Sequence, residues 1–315
     1  MTPVSTPPPD LPVHASPSAV EPPLDDGWIA RTVQTALDED LGPAPGRDVT
    51  TQATVPPSDT RTAHLVARAA GTVAGLVVVA ETLRQTATRL ALPAPEVTFH
   101  TQDGAAVVPG QVLASLTGRT QVLLVAERTL LNLASRASGV ATATAAFTRE
   151  LAGTGAQVLD TRKTTPGLRA LDKYAVRAGG GTNKRMGLHD VAMVKDNHVV
   201  AAGGVAPAIH AIRAAFPDVL VQVEADTTAQ AMEALDAGAD FLLLDNMPTD
   251  VLAATVAAVR ERQGRDGVPA HVELEATGTL TLDRAREVAL TGVDHLSVGA
   301  LTHSAPILDL ALDLR

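Results

Sequence analysis

From about Gly155 onward, short apolar runs alternate with helical stretches at a regular interval. The runs are Gln157–Asp160, Val191–Lys195, Val219–Glu224, Phe241–Asp245, Val272–Glu275 and His295–Val298. Between them the spacing predicts helices over Val205–Phe216, Thr228–Ala237, Thr249–Arg262 and Thr281–Leu290. Strand-like runs buried on both faces and separated by helices belong to a parallel sheet. About six such units are too few for a full eight-fold barrel, so an incomplete α/β barrel and an open doubly wound sheet both fit the pattern.

The segment before this array reads differently. Asp25 is followed by a helical stretch over 27–42, with Ile29, Val33, Leu37 and Leu41 on one face. Strands are expected at His64–Ala70, Glu96–His100 and Val112–Leu116, a helix at Leu76–Leu90, and turns at Asp103-Gly104 and Pro109-Gly110. The spacing from Thr120 to Leu151 is helical, with a break expected near Gly139. Residues 1–25 hold eight of the 21 prolines and no Lys, Arg or aromatic residue, so the reading is a disordered Pro-rich tail. The domain division expected is an N-terminal α+β sandwich over 26–130 and an α/β barrel over 131–303. A C-terminal helix over 304–315 is expected to pack on the first domain.

Composition removes several classes of function. The chain has 315 residues, enough for about two domains, and no cysteine, so a disulfide scaffold, a thiolate metal site and a cysteine nucleophile are excluded. A net charge of −10 and six aromatic residues in all argue against a nucleic-acid partner. No apolar run is long enough for a membrane span, and the first basic residue is Arg31, so no membrane association and a cytoplasmic location are expected. Nine histidines occur without paired ligand spacing, which disfavours zinc; His198 and His303 are read as hydrogen-bonded structural residues.

Charge is concentrated where the runs end. Those ends carry Asp160-Thr161-Arg162-Lys163, Lys195-Asp196-Asn197, Glu224-Ala225-Asp226, Asp245-Asn246, Glu275-Ala276-Thr277 and Ser297-Val298-Gly299. Carboxyl ends of parallel strands form the functional face of such folds, and a charge set on a buried strand needs a partner or a ligand. All four lysines, Lys163, Lys173, Lys184 and Lys195, fall within 33 residues, although the chain has 21 arginines. Residues 162–195 hold eight basic groups against Asp172 and Asp190. Arg169, Lys173 and Arg177, four apart, read as a solvated helix face. Arg162, Lys163, Lys184, Arg185 and Lys195 read as a concave site for a small polyanion. Gly179-Gly180-Gly181 lets the backbone approach a ligand there, and neither a Walker A loop nor a strand-linked GxGxxG is present. Glu224 and Asp245 are candidates for Mg²⁺ or sugar hydroxyls, or for pairing with a basic neighbour. A Schiff base on Lys163 or Lys195 is a competing chemistry.

The motifs Glu39-Asp40-Leu41-Gly42, Gly71-Thr-Val-Ala-Gly-Leu76 and Glu127-Arg128-Thr-Leu-Leu-Asn132 stand ahead of Asp160-Thr-Arg-Lys-Thr-Thr-Pro-Gly167. Lys173-Tyr-Ala-Val176, Val194-Lys-Asp-Asn-His198 and Leu244-Asp-Asn-Met247 follow. In this order they resemble the quinolinate phosphoribosyltransferases from about Leu37 to the C-terminus. The resemblance implies transfer of phosphoribosyl from 5-phosphoribosyl-1-pyrophosphate (PRPP) to quinolinate, with loss of pyrophosphate and CO₂, giving nicotinate mononucleotide for NAD biosynthesis. It implies that Arg128, Arg162, Lys163, Arg185 and Lys195 bind the anions, with Arg128 reaching the partner's site in a homodimer. Glu224 and Asp245 would serve the ribose hydroxyls and Mg²⁺, and Thr277, Gly278, Thr279, Val298, Gly299 and Ala300 the 5′-phosphate. Thr161 joins the substrate-binding set. No organic cofactor is needed, because the alkylated pyridinium is itself the electron sink. Three departures stand out: Lys184 where the family commonly has His, Thr277-Gly278-Thr279 for Ser-Gly-Gly, and a longer Gly42–Asp48 segment. They leave a paralogue with a different acceptor, of the molybdenum-transport-associated type, as the alternative.

Overall fold

The computed structural model describes residues 20–265, 268 and 270–315. In chain order the first elements are α1 (Asp26–Leu41), α2 (Thr51–Thr54), β1 (Thr60–Ala67), β2 (Gly71–Thr72), α3 (Val77–Leu90), β3 (Glu96–Phe99), β4 (Ala106–Val107), β5 (Val112–Arg119) and α4 (Thr120–Glu150). Then come β6 (Gln157–Leu159), α5 (Arg169–Ala178), β7 (Val191–Val194), α6 (Asp196–Ala202), α7 (Val205–Ala215), β8 (Leu220–Ala225) and α8 (Thr228–Asp236). The last are β9 (Phe241–Asp245), α9 (Thr249–Arg262), β10 (Glu273–Thr277), α10 (Leu282–Ala289), β11 (His295–Ser297), α11 (Ala300–His303) and β12 (Leu310–Leu314). They divide into two compact units. One holds the chain up to Thr142 with Ala170–Gly179 and Pro306–Arg315; the other holds Ala143–Arg169 and Gly180–Ala305. The division expected at 130/131 therefore falls twelve residues later, inside α4.

In the first unit an antiparallel sheet of order β12-β1-β5-β3 packs on α3 and the start of α4, and α1 packs against α3. The apolar stripe Ile29, Val33 and Leu37 is buried, as its spacing predicts. Three expectations are corrected here. The segment 304–315 holds a strand, not a helix: Leu310, Leu312 and Leu314 alternate with Ala311 and Asp313, and β12 pairs antiparallel with β1, Leu312 opposite Leu65. That two-residue period suits a pleated strand and satisfies the backbone edge of β1. The break near Gly139 is absent, and α4 runs continuously. Gly139 serves a close approach instead, since a Cβ there would lie 2.1 Å from the Pro306 carbonyl oxygen. Lys173, read as part of a solvated face, is fully buried beside Asp172, which accepts from Arg136 Nε at 3.1 Å.

Of the expected tail, residues 1–19 lie outside the described residues. Its last six lead into α1, four of them exposed. Leu24 is buried, the Pro22 carbonyl accepts from Arg177 Nη2 at 2.8 Å, and Asp25 caps the helix by accepting from Trp28 N at 2.7 Å.

The second unit is a six-stranded, all-parallel sheet of order β6-β11-β10-β9-β8-β7. The first strand pairs with the last, so the sheet curls into a ring that stays open between β6 and β7. Among the described residues one isolated bridge, Leu159 to Thr182, spans that side. This is the incomplete barrel of the two architectures the sequence left open. Along the strands Val221, Val223, Leu242, Leu244, Leu274, Ala276 and Leu296 join the helix-side core. The alternate residues Gln222, Glu224, Asp245, Glu275, Thr277 and Ser297 take the other face. Polar groups therefore line the inside of the ring, and the charges sit at its carboxyl end. No helix of the described residues is long and apolar enough to cross a membrane.

Candidate active site

The carboxyl ends of the six strands surround a cavity of about 600 Å³. Thr161, Arg162, Lys163, Lys184, Arg185, Lys195, Glu224, Asp245, Thr277, Gly278 and Thr279 all line it. So do Met193, Leu243, Asn246 and Ser297, which the sequence reading did not single out as site residues. Five cations thus converge on one concavity, although Arg162 and Lys195 are 33 positions apart in sequence.

Each cation is positioned locally. Thr161 Oγ1 accepts from Lys163 N at 3.1 Å, which folds the chain sharply after β6. The Lys163 carbonyl accepts from Thr302 Oγ1 at 2.8 Å, and its side chain runs past Gly299, where a Cβ would lie 3.2 Å from Lys163 Cδ. The buried Asp160 carboxylate accepts from Lys184 N at 2.9 Å and Asn183 Nδ2 at 2.7 Å, fixing the loop after the glycine run. Lys184 Nζ donates to Glu275 Oε1 at 2.6 Å, and Lys195 Nζ to Glu224 Oε2. Arg185 Nη1 donates to the Val191 carbonyl at 2.9 Å. His198 Nδ1 accepts from Lys195 N at 3.0 Å and His303 Nδ1 lies 2.6 Å from Ser304 Oγ, both in hydrogen-bonded roles.

The electrostatics are those of a site waiting for negative charge. Burial, and then the neighbouring Arg162 guanidinium, pull Arg185 below the ordinary arginine value. Burial also pulls Lys184 down, against the opposing pull of Glu275. Arg162 Nε and Ser297 Oγ are buried without a hydrogen-bond partner among the described residues. Such groups cost free energy unless a ligand answers them. On the facing rim, burial and then Asp196, Asp245 and Glu224 push Asp226 up, marking a pole of clustered carboxylates. Cations on one side and carboxylates on the other suit a substrate carrying phosphates and hydroxyls.

Asn246 and Gly278 shape the rim between the two poles. Asn246 has φ +52° and donates from Nδ2 to Asp245 Oδ2 at 2.9 Å. Gly278 has φ +124°, and a Cβ there would lie 2.3 Å from Asn246 Oδ1. The Asp-Asn pair after β9 is legible as a turn signal, and Ser297 as a polar strand end; Met193 and Leu243 carry no such signal because apolar strand residues look alike in sequence.

Four expected site residues are not in the lining. Val298 is buried in the helix-side core, while Gly299 and Ala300 open α11 beyond Ser297. Arg128 lies on α4 in the other unit and is exposed. Leu123, Leu130 and Leu131 are buried around it, while Arg128 takes the solvent-facing position.

Both halves of the chain match family models. Residues 48–138 match the one described as quinolinate phosphoribosyl transferase, N-terminal domain, and residues 140–313 the C-terminal domain. The nicotinate-nucleotide pyrophosphorylase [carboxylating] of Mycobacterium leprae is 46% identical over 90% of this chain and 96% of its own length. A probable enzyme of the same name from Bacillus subtilis is 40% identical over 80% of this chain and 83% of its own. The solved nicotinate-nucleotide pyrophosphorylase of Francisella tularensis superposes with a TM-score of 0.83 at 30% identity, covering 95% of this chain and all of that one. The chain belongs to the quinolinate phosphoribosyltransferase family.

Proposed function

We propose that the chain transfers the phosphoribosyl group of PRPP to quinolinate, releasing pyrophosphate and CO₂ and forming nicotinate mononucleotide. The observation that carries this reading is the convergence of Arg162, Lys163, Lys184, Arg185 and Lys195 on one cavity that also holds Glu224 and Asp245. Quinolinate brings two carboxylates and PRPP a pyrophosphate and a 5′-phosphate. A five-cation pocket compensates that charge.

The chemistry is positioning and electrostatics. The pyridine nitrogen attacks the anomeric carbon as the bond to pyrophosphate breaks, and the leaving group takes the electron pair. Lys163 and Lys195 meet the charge that develops on it. Glu224 and Asp245 face the ribose, hold its hydroxyls and favour its cationic transition state. Thr277, Gly278 and Thr279 take the 5′-phosphate, with Gly299 leaving room for Lys163. The ring nitrogen, now quaternary, stabilises the electron pair left on the adjacent ring carbon as its carboxylate departs as CO₂, and that carbon then takes a proton from water.

Mg²⁺ fits the donor set. Two carboxylates face the cavity, and among the described residues no group of three or more His, Asp or Glu side chains would hold a metal. That is the arrangement Mg²⁺ uses when phosphate oxygens and water complete its shell. Glu224 and Asp245 would hold it, and when bound it offsets charge on the departing pyrophosphate.

The functional assembly in this reading is a homodimer in which Arg128 reaches the partner's site. Its support is the exposed guanidinium on α4, far in sequence from the lining residues. Incubation with PRPP, Mg²⁺ and quinolinate tests the reaction. Nicotinate mononucleotide, pyrophosphate and CO₂ should appear in equal amounts; PRPP left intact beside a competent control enzyme would refute it.

A further inference from the structure

Beneath the cationic cavity lies a carboxylate for which anion binding has no direct use. Glu275, on β10, is fully buried, and both of its oxygens are engaged. Oε1 accepts from Lys184 Nζ at 2.6 Å and Oε2 from Gln222 Nε2 at 2.7 Å. Gln222 lies on β8, two strands away in the sheet, and is itself buried. The side chains thus form a chain across the inside of the ring, from Gln222 through Glu275 to Lys184 in the cavity wall. Stability alone gives little reason to keep such a pair, since apolar residues of similar volume often serve a core as well or better.

The surroundings of Lys184 show what the pair accomplishes. Arg185 on its own loop and Lys195 at the end of β7 both repel its charge, and burial opposes it further. Asp160, at the end of β6, takes the backbone N–H of Lys184. His295, opposite Glu275 on β11, is bonded to Glu273. Glu275 contacts the ammonium from across the ring.

We propose, resting on the reading given under Proposed function, that Glu275 braced by Gln222 is a positioning residue. It keeps Lys184 protonated and fixed in the wall, so that the pyridine dicarboxylate meets an ammonium and not a neutral amine. Glu275 acts through Lys184 and touches no reacting atom.

The test exploits the fact that the chain has only four lysines. Lysine labelled with ¹³C at Cε gives four side-chain signals, assigned with Lys184→Arg. In Glu275→Gln the Lys184 midpoint should fall by about one pH unit or more, the others moving little, because a paired charge has been removed from one ammonium. In the same variant KM for quinolinate should rise about tenfold while KM for PRPP changes less, and the basic limb of kcat/KM should move to lower pH. Glu275→Asp keeps the charge at a longer reach and should give an intermediate midpoint; it carries the test if Glu275→Gln does not fold. A folded variant with an unmoved Lys184 midpoint overturns the proposal, as does a moved midpoint with an unmoved quinolinate KM. Wild-type protein inactive on PRPP and quinolinate would instead defeat the functional reading, a result the lysine titration distinguishes because it needs no turnover.

Discussion

Asp103 in the first unit and Glu275 in the second are both buried carboxylates, satisfied in opposite ways. Asp103, in the first unit, accepts from Gly75 N and Leu76 N at 3.0 Å each and from the Tyr174 hydroxyl at 2.7 Å. All three donors are neutral, and burial outweighs them, so its carboxyl is pushed up to about 6. Glu275, in the second unit, faces a lysine ammonium that opens into the charged cavity. Asp103 clasps the entry of α3 to α5 and ends there. A buried acid answered by dipoles is architecture; one answered by a cation in a cavity wall is part of a site. Burial alone does not separate them.

The contrast breaks most visibly at the lysines of the second unit. Lys163→Ala and Lys195→Ala should each fold normally and lose about 10²–10³ in kcat, the effect of removing one preorganised charge from a transition-state site. Steady-state rates with a thermal melt as control check this. Near-normal turnover in a folded variant would take that lysine out of the mechanism.

Arg128 extends the comparison, because it belongs to the first unit yet is proposed to bind substrate in the partner's site. Arg128→Ala and Lys163→Ala, each inactive alone, should regain activity when mixed and allowed to exchange subunits. Half the dimers are then mixed and each has one intact site, so recovery should approach about a quarter of wild-type activity. No recovery after demonstrated exchange would return Arg128 to its own chain or to a structural role.

The two units also differ in how much of them the sequence discloses. The six strands of the second are legible because each is a mainly apolar run ending in a charged or polar residue, and much of the cavity lining follows from those ends. What stays hidden is which face a residue takes: Glu275 is visible as a strand end, but its link to Gln222 depends on curling the sheet. In the first unit the strands and helices are legible, while the role of residues 304–315 is not. Its Leu-rich pattern suits a helix or a strand, and only pairing with β1 decides. Lys173 misleads for a related reason. A lysine spaced four from two arginines looks solvated, and its burial depends on what packs over α5.

A smaller effect is the pH dependence that Asp103 confers. Unfolded, the Asp103 carboxyl titrates near 3.8; folded, at about 6. Between these values the folded state holds more protons than the unfolded one. The contribution of this group is therefore greatest below the lower value and declines as pH rises through the upper, by about 2–3 kcal/mol in all. Asp103→Asn does not titrate, so its stability relative to wild type should improve across this window, with kinetics unchanged. Denaturant melts at several pH values check it, and a flat difference would mean that Asp103 is ionised throughout.

The smallest effect sits at the start of the first unit. Composition marks residues 1–25 as a disordered tail, yet Leu24 is buried and Asp25 caps α1. Asp25 Oδ1 accepts from Trp28 N, one of the N–H groups a helix leaves unmatched at its start. Asp25→Ala should cost about 1 kcal/mol, and Asp25→Ser, which keeps an acceptor, only a fraction of that. Both should leave kcat and KM unchanged, since neither touches the cavity. Deleting residues 2–24 keeps Asp25 but removes the Leu24 contact and the Pro22 carbonyl that Arg177 holds, and should cost more than Asp25→Ala. If that deletion melts with wild type, the packing of Leu24 contributes nothing and the tail extends to the helix cap.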